Sequence, residues 1–191
     1  MSALTTEHYM LQATSGSATS EGGSRVSIYL SALSSGLVAI GFASTSRHAL
    51  ESLAFTVLPV VFILGWFTIV RLIDTSVANI ISLRRMELIR AYYAALAPVA
   101  PPYFGAGDPA AGEHGVRYGR WSFLFTMASM VITVNCVLGG ATIALLFDLA
   151  FKVPLPGAAG IGVAGGLALL ALSLRYEHRR LTPVVLSSYV A

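Results

Sequence analysis

The chain has 191 residues, of which 55% are hydrophobic and only 11% charged, with a formal net charge of +3 and a mean hydropathy of +0.74. A water-soluble domain carries about a quarter charged residues, so this composition excludes an ordinary soluble enzyme or nucleic-acid-binding domain. The single cysteine, Cys136, excludes an internal disulfide and is expected to be a small packing residue.

Residues 1–25 form a polar Ser/Thr/Gly-rich segment, expected to be only partly ordered. A short helix over 6–13 fits the pattern, and Gly16, Gly22 and Gly23 argue against a long rigid one. The segment lacks a basic start and the first apolar run begins late, so no cleaved signal peptide is expected.

Four apolar stretches follow, at 26–43, 53–73, 123–149 and 155–174, with charge confined to their ends. A helix of about 20 apolar residues crosses a hydrocarbon core. The expected fold is therefore all-α: a polytopic membrane protein with four transmembrane helices. The organisation reads as a first hairpin over 26–73, a central segment over 74–121, a second hairpin over 122–175 and a tail over 176–191. Ten of the twelve basic residues lie on one side of this arrangement, and only Arg47 and Lys152 lie on the other. The positive-inside rule then places both termini in the cytoplasm and the protein in the inner (plasma) membrane. Arg84, Arg85, Arg90, Arg179 and Arg180 are expected at the membrane surface, where anionic headgroups attract them.

In the first span, Ser27, Ser31 and Ser35 recur at every fourth position and continue into Ala39 and Ala43. Such a ridge serves close helix packing or lines a wet pore. The second span contains Pro59, a candidate kink. Beyond it, residues 66–97 hold no Gly or Pro, and Val77, Ile80, Ile81, Leu88, Tyr92 and Leu96 recur at helical spacing. Two structures fit. The second span either continues as an amphipathic cytoplasmic helix or breaks at the cap-forming Asp74-Thr75-Ser76 and lies along the membrane. The continuous form leaves an apolar stripe that needs a partner, which points to oligomerisation. Residues 97–114, rich in Pro, Ala and Gly, read as a connector.

The third span carries Asn135, its most polar deep residue, followed by Gly139 and Gly140. An interhelical hydrogen bond or ion coordination would use it. Asp148 and Lys152 stand one turn apart and could pair. The fourth span is dense in glycine, and Gly162-x-x-x-Gly166 suits tight helix packing. It ends at a basic stop in which Glu177 and His178 read as solvated interfacial residues, and Pro183 is expected to end the helix.

Catalytic motifs are absent. His8, His48, His114 and His178 are scattered and lack metal-ligand spacing. No nucleophile elbow or phosphate loop occurs, so no enzyme, metal or cofactor is expected. No charged residue sits near a span centre, which argues against a proton-coupled transporter or a strongly charge-selective channel.

The string Ser20-Glu21 through Arg25-Val26-Ser27-Ile28-Tyr29-Leu30-Ser31, with Leu33-Ser34-Ser35-Gly36-Leu37-Val38-Ala39, Thr75-Ser76-Val77 and Arg90-Ala91-Tyr92-Tyr93, resembles a group of uncharacterised actinobacterial multi-pass membrane proteins. The layout, a first hairpin followed by a cytoplasmic helix, is similar to the membrane modules of cyclic-nucleotide-triggered antiphage effectors. That resemblance implies a chain that oligomerises and impairs the inner membrane. The expected partners are the lipid bilayer and further copies of the chain, with no nucleic acid. The expected function is non-enzymatic self-association as a pore-like or membrane-perturbing effector or a structural subunit. The alternatives are a transporter or accessory subunit for a small neutral solute, and a scaffold that recruits a cytoplasmic partner through the central segment.

Overall fold

The computed structural model describes residues 2–96 and 126–189. The described residues form four helices: α1 over Ser2–Phe42, α2 over Arg47–Leu96, α3 over Met127–Phe151 and α4 over Leu155–Tyr189. A short 3₁₀ turn over Ala43–Thr45 joins α1 to α2. All four are long and apolar enough to cross a membrane. The connector 97–114 with His114, the basic residues Arg117 and Arg120, and the opening residues 123–125 of the expected third span lie outside the described residues.

Helices run up, down, up and down. α2 and α3 form the middle of the bundle, with α1 packed along α2 and α4 along α3. One end holds the tight turns, α1 to α2 and α3 to α4. The opposite end holds both termini, and there α1 and α2 project together as a stalk. The main core gathers Tyr29, Leu58, Ile69, Ile73, Ile132 and Cys136 between the first three helices. A smaller core, Leu11 with Met86 and Ile89, closes the stalk, and Leu4 and Tyr93 pack against it.

Two expectations about helix length are corrected. The N-terminal segment is not a partly ordered tail: α1 is 41 residues long, runs from Ser2 and passes through Gly16, Gly22 and Gly23. A mid-helix glycine costs about 1 kcal/mol relative to alanine, and contacts with α2 offset that cost. A Cβ at Gly22 would stand 3.4 Å from Leu72. The Ser15 hydroxyl donates to Asn79, the Thr5 and Tyr93 hydroxyls meet at 3.3 Å, and Leu11 packs on Met86 and Ile89. Pairings 15 with 79 and 22 with 72 share one antiparallel register, and Thr5 reaches Tyr93 one helical turn beyond it.

Pro183 likewise does not end α4, which continues to Tyr189. The proline removes one bond, to the carbonyl of Arg179, and Arg179 is exposed where solvent can replace it.

Of the two readings of the second span, the continuous one matches. α2 is unbroken over 50 residues, Pro59 included, a length of about 75 Å. Thr75 and Ser76 do not cap a new helix. Their hydroxyls bond back to the carbonyls of Arg71 and Leu72, both at 2.8 Å, and stay within the same helix. The inward face of the projecting half is Asn79, Ser82, Met86, Ile89 and Tyr93. Ile81, Leu88, Tyr92 and Leu96 are exposed instead. α1 therefore buries a face of α2 other than the stripe read from the sequence.

Ends of α3 are set locally. Thr126 caps its start by accepting from the Ser129 amide at 3.1 Å. Lys152 does not pair with Asp148. It takes the left-handed conformation, φ 50 and ψ 35, as the C-cap, with its amide bonded to the Phe147 carbonyl.

In a Cys136→Ala background, the double variant Ser15→Cys/Asn79→Cys is expected to form an intrachain disulfide rapidly on mild oxidation, read as a gel-mobility shift. Leu11→Asp should slow its formation several-fold. An unstructured N-terminal segment would give slow crosslinking with no dependence on Leu11.

Candidate functional site

The residues singled out by the sequence fall into three separate places. Asn135 lies at the centre of the bundle, only 1% exposed. The fully buried Tyr29 reaches it from α1 and donates its hydroxyl to Asn135 Oδ1 at 3.3 Å. Gly65 of α2 faces the pair. A Cβ there would collide with the Asn135 carboxamide and stand 2.8 Å from the Tyr29 ring. Only glycine fits. Asn135, Tyr29 and Gly65 thus bring α3, α1 and α2 to one point. Among the described residues, Asn135 Nδ2 has no hydrogen-bond partner, so this point combines close packing with an unspent donor.

Gly162 and Gly166 lie at the crossing of α3 and α4. A Cβ at Gly162 would stand 2.6 Å from the Gly140 carbonyl, and one at Gly140 would stand 2.8 Å from the Gly162 carbonyl. A Cβ at Gly166 would come within 3.1 Å of the Cys136 carbonyl. The two backbones touch, as small-residue helix pairs do. Beside the crossing an open apolar groove of about 410 Å³ runs between the helices, lined by Thr133, Val137, Ala144, Val163 and Leu167 among others.

Ser27, Ser31 and Ser35 join neither place. All three are exposed on the side of α1 turned away from α2. The packed side uses Tyr29, Leu33 and Ile40, and Gly36, where a Cβ would press on Val57 at 2.6 Å. Thr68, Thr133, Thr142 and Ser173 bond to carbonyls one turn back. Among the described residues the three ridge serines make no side-chain hydrogen bond.

Charged groups mark the two ends. At the stalk end Glu21 pairs with Arg25 at 2.9 Å and Arg71 at 3.2 Å, and Asp74 pairs with Arg180 at 3.4 Å. These pairs tie α1 to α2 and α2 to α4. They are solvent-accessible and screened, so they orient the helices more than they stabilise them. Arg85, Arg90 and Arg179 are exposed and Arg84 is half-buried. At the turn end Arg47 pairs with Glu51 at 2.8 Å, and His48, Asp148 and Lys152 border the same open recess. Among the described residues no group of three or more His, Cys, Asp or Glu is placed to hold a metal ion.

Glu177 is corrected. It is fully buried, not a solvated interfacial residue. Its Oε1 accepts from the Thr126 hydroxyl at 2.7 Å, and Oε2 has no partner among the described residues. The carboxyl group stands against Thr126, the N-cap of α3. The helical step from Ser173 to Glu177 to Leu181, all buried, places it on the inner face of α4.

Sequence reasoning missed Tyr29 and Gly65. Nothing in an apolar run distinguishes a packed tyrosine from a lipid-facing one. Gly65 had a legible signal, as the one glycine within a long helical pattern. Comparison of the chain with protein families, with curated proteins and with solved structures returns no match.

Gly65→Val is expected to destabilise the bundle by about 1–3 kcal/mol through overpacking. Tyr29→Phe, which removes the bond to Asn135, should cost about 1 kcal/mol. Unfolding in detergent, followed by near-UV circular dichroism, checks both, and Gly23→Ala, where a Cβ meets nothing within 4 Å, is the contrasting control, expected to stabilise by up to about 1 kcal/mol through helix propensity alone.

Proposed function

We propose that this chain is a non-enzymatic integral protein of the inner (plasma) membrane, with both termini cytoplasmic, that self-associates through the outer face of α1. One observation carries the reading: an apolar helix keeps Ser27, Ser31 and Ser35 exposed in one row with their hydroxyls unbonded among the described residues. In lipid, an exposed hydroxyl gains by bonding across to another helix, and small side chains permit the close approach. The inward face of α1 is already occupied by α2, so the ridge is available to a second copy. In an assembly of several copies the same row faces the shared axis as a pore-like or membrane-perturbing element. In a dimer it is a structural seam.

The orientation is supported by charge. Among the described residues, Arg25, Arg71, Arg84, Arg85, Arg90, Arg175, Arg179 and Arg180 belong to the end with the termini, and Arg47 and Lys152 to the turn end.

Single cysteines at positions 27, 31 and 35, in a Cys136→Ala background, should crosslink copies to one another in membranes, and cysteines at 29 and 33 should not. Replacing all three serines by leucine should weaken association by about 1–2 kcal/mol, roughly tenfold, measured as the dimer fraction in lipid discs of varied protein density. A strict monomer at every density, or crosslinking without this periodicity, would refute self-association. Release of a small dye from loaded vesicles separates the pore-like form from the structural one.

A further inference from the structure

We infer that the recess at the turn end binds a primary ammonium joined to a phosphate, the headgroup chemistry of phosphatidylethanolamine. This site is independent of self-association through α1. It is also independent of which compartment the turn end faces, because headgroups border both surfaces of a bilayer.

The recess, of about 580 Å³, lies between the α1–α2 turn and the α3–α4 turn. Small-ligand sites span about 300–1,000 Å³. Both turns are closed by backbone bonds: the Ser46 amide donates to the Ala43 carbonyl at 3.1 Å, and the Val153 amide to the Phe147 carbonyl at 3.3 Å. The walls are thus set before a ligand arrives, which lowers the ordering cost of binding. Arg47, His48 and Glu51 border the recess from α2, Asp148 from α3, and Lys152 from the second turn. With His48 neutral, these two cations and two carboxylates sum to no net charge.

One pair is answered within the chain. Arg47 Nε donates to Glu51 at 2.8 Å, and that bond, with a smaller contribution from the field of Asp148, raises the Arg47 pKa. The other two charges are unanswered: among the described residues neither Asp148 nor Lys152 makes an ion pair. A spacing of four would let them pair on a continuous helix. Lys152 instead leaves the helix as its left-handed C-cap, so the cap keeps both charges unspent on one recess. Asp148 also sits in the last turn of α3, where the helix dipole disfavours a carboxylate. A cation from outside the chain relieves that.

Charge and depth decide the ligand. A metal ion fits poorly, because Glu51 is committed to Arg47 and no set of three ligating side chains gathers among the described residues. An anion alone satisfies Lys152 and leaves Asp148 unpaired, and a simple amine does the reverse. A zwitterion answers both: its ammonium donates to Asp148, and its phosphate accepts from the Lys152 ammonium. A primary ammonium donates three hydrogen bonds and a choline none, which favours ethanolamine. Phe42 ends α1 at 81% exposed, and Phe151 ends α3 at 69% exposed. Phenyl rings bared beside the recess mark the hydrocarbon boundary, so the recess stands at headgroup level. The ends that residues 97–125 connect, those of α2 and α3, lie at the opposite end of the bundle.

Native mass spectrometry tests this on the full chain released from lipid discs holding phosphatidylethanolamine, phosphatidylcholine and phosphatidylglycerol in equal parts. Phosphatidylethanolamine is expected to be retained about three- to fivefold over either of the others, the scale of an exposed charge pair. Asp148→Asn should erase its advantage over phosphatidylcholine, and Asp148→Glu should keep it, which separates charge from a folding defect. Lys152→Gln should weaken retention of all three lipids. Arg179→Gln, exposed at the opposite end, should change nothing. Free glycerophosphoethanolamine distinguishes the sources: release of the retained lipid assigns the site to the water-borne form as well, and no release assigns it to the lipid. Equal retention of the three lipids, a preference for phosphatidylglycerol, or a preference that survives Asp148→Asn would overturn the assignment and leave self-association standing. Loss of crosslinking at 27, 31 and 35 with the lipid preference intact would fail self-association alone.

Discussion

The antiparallel seam between α1 and α2 is the constraint from which the other features follow. It runs from the pair Thr5 and Tyr93 through Ser15 and Asn79, Gly22 and Leu72, and Tyr29 and Gly65 to Gly36 and Val57. The register holds to within one residue from Ser15 to Gly36 and is reached one turn further along by Thr5, so the rotation of α1 about its axis is set over most of its length. That rotation carries Tyr29 to Asn135, turns Ser27, Ser31 and Ser35 outward and leaves the row of Ile81, Leu88 and Tyr92 on the flank of α2 uncovered. Residues on the α1 side of the stalk recur as Leu4, His8, Leu11, Ser15, Ala18 and Gly22, in steps of four and three. This is the 3.5-residue period of helices that pack in parallel or antiparallel pairs.

The bundle half of the molecule is specified by few polar and small groups. In lipid the helices gain little from apolar contact alone, since hydrocarbon is as good a neighbour as leucine. Position is then set by groups that tolerate only one neighbour. Asn135, Tyr29 and Gly65 lock three helices at the centre. Gly140, Gly162 and Gly166 bring α3 and α4 backbone to backbone. Glu177 and Thr126 join the end of α4 to the start of α3. Each is a contact that a one-turn slip would break.

Surface chemistry divides by depth. The row of unbonded serines on α1 suits an apolar medium, where a hydroxyl is worth pairing. On the projecting half of α2 the exposed flank carries Ile81, Leu88, Tyr92 and Leu96 with Arg85 among them.

Residue chemistry alone set the helical class and the count of four helices able to cross a membrane, because spans are defined by length and hydropathy, both local properties. The concentration of arginine at the end with the termini was equally legible. The length of α1 was not. Gly16, Gly22 and Gly23 lower the intrinsic propensity of the segment, and its seam residues are largely polar or small, so hydrophobic periodicity is blind to them. Glu177 beside His178 has the composition of a solvated stop, and only the approach of Thr126 from 51 residues away buries it. Gly162 and Gly166 announced close packing, whereas their partner, Gly140, depends on how two helices cross. Local propensity decides that helices form. Which faces meet is decided by pairs distant in sequence, whose contact energies exceed the small local penalties along the way.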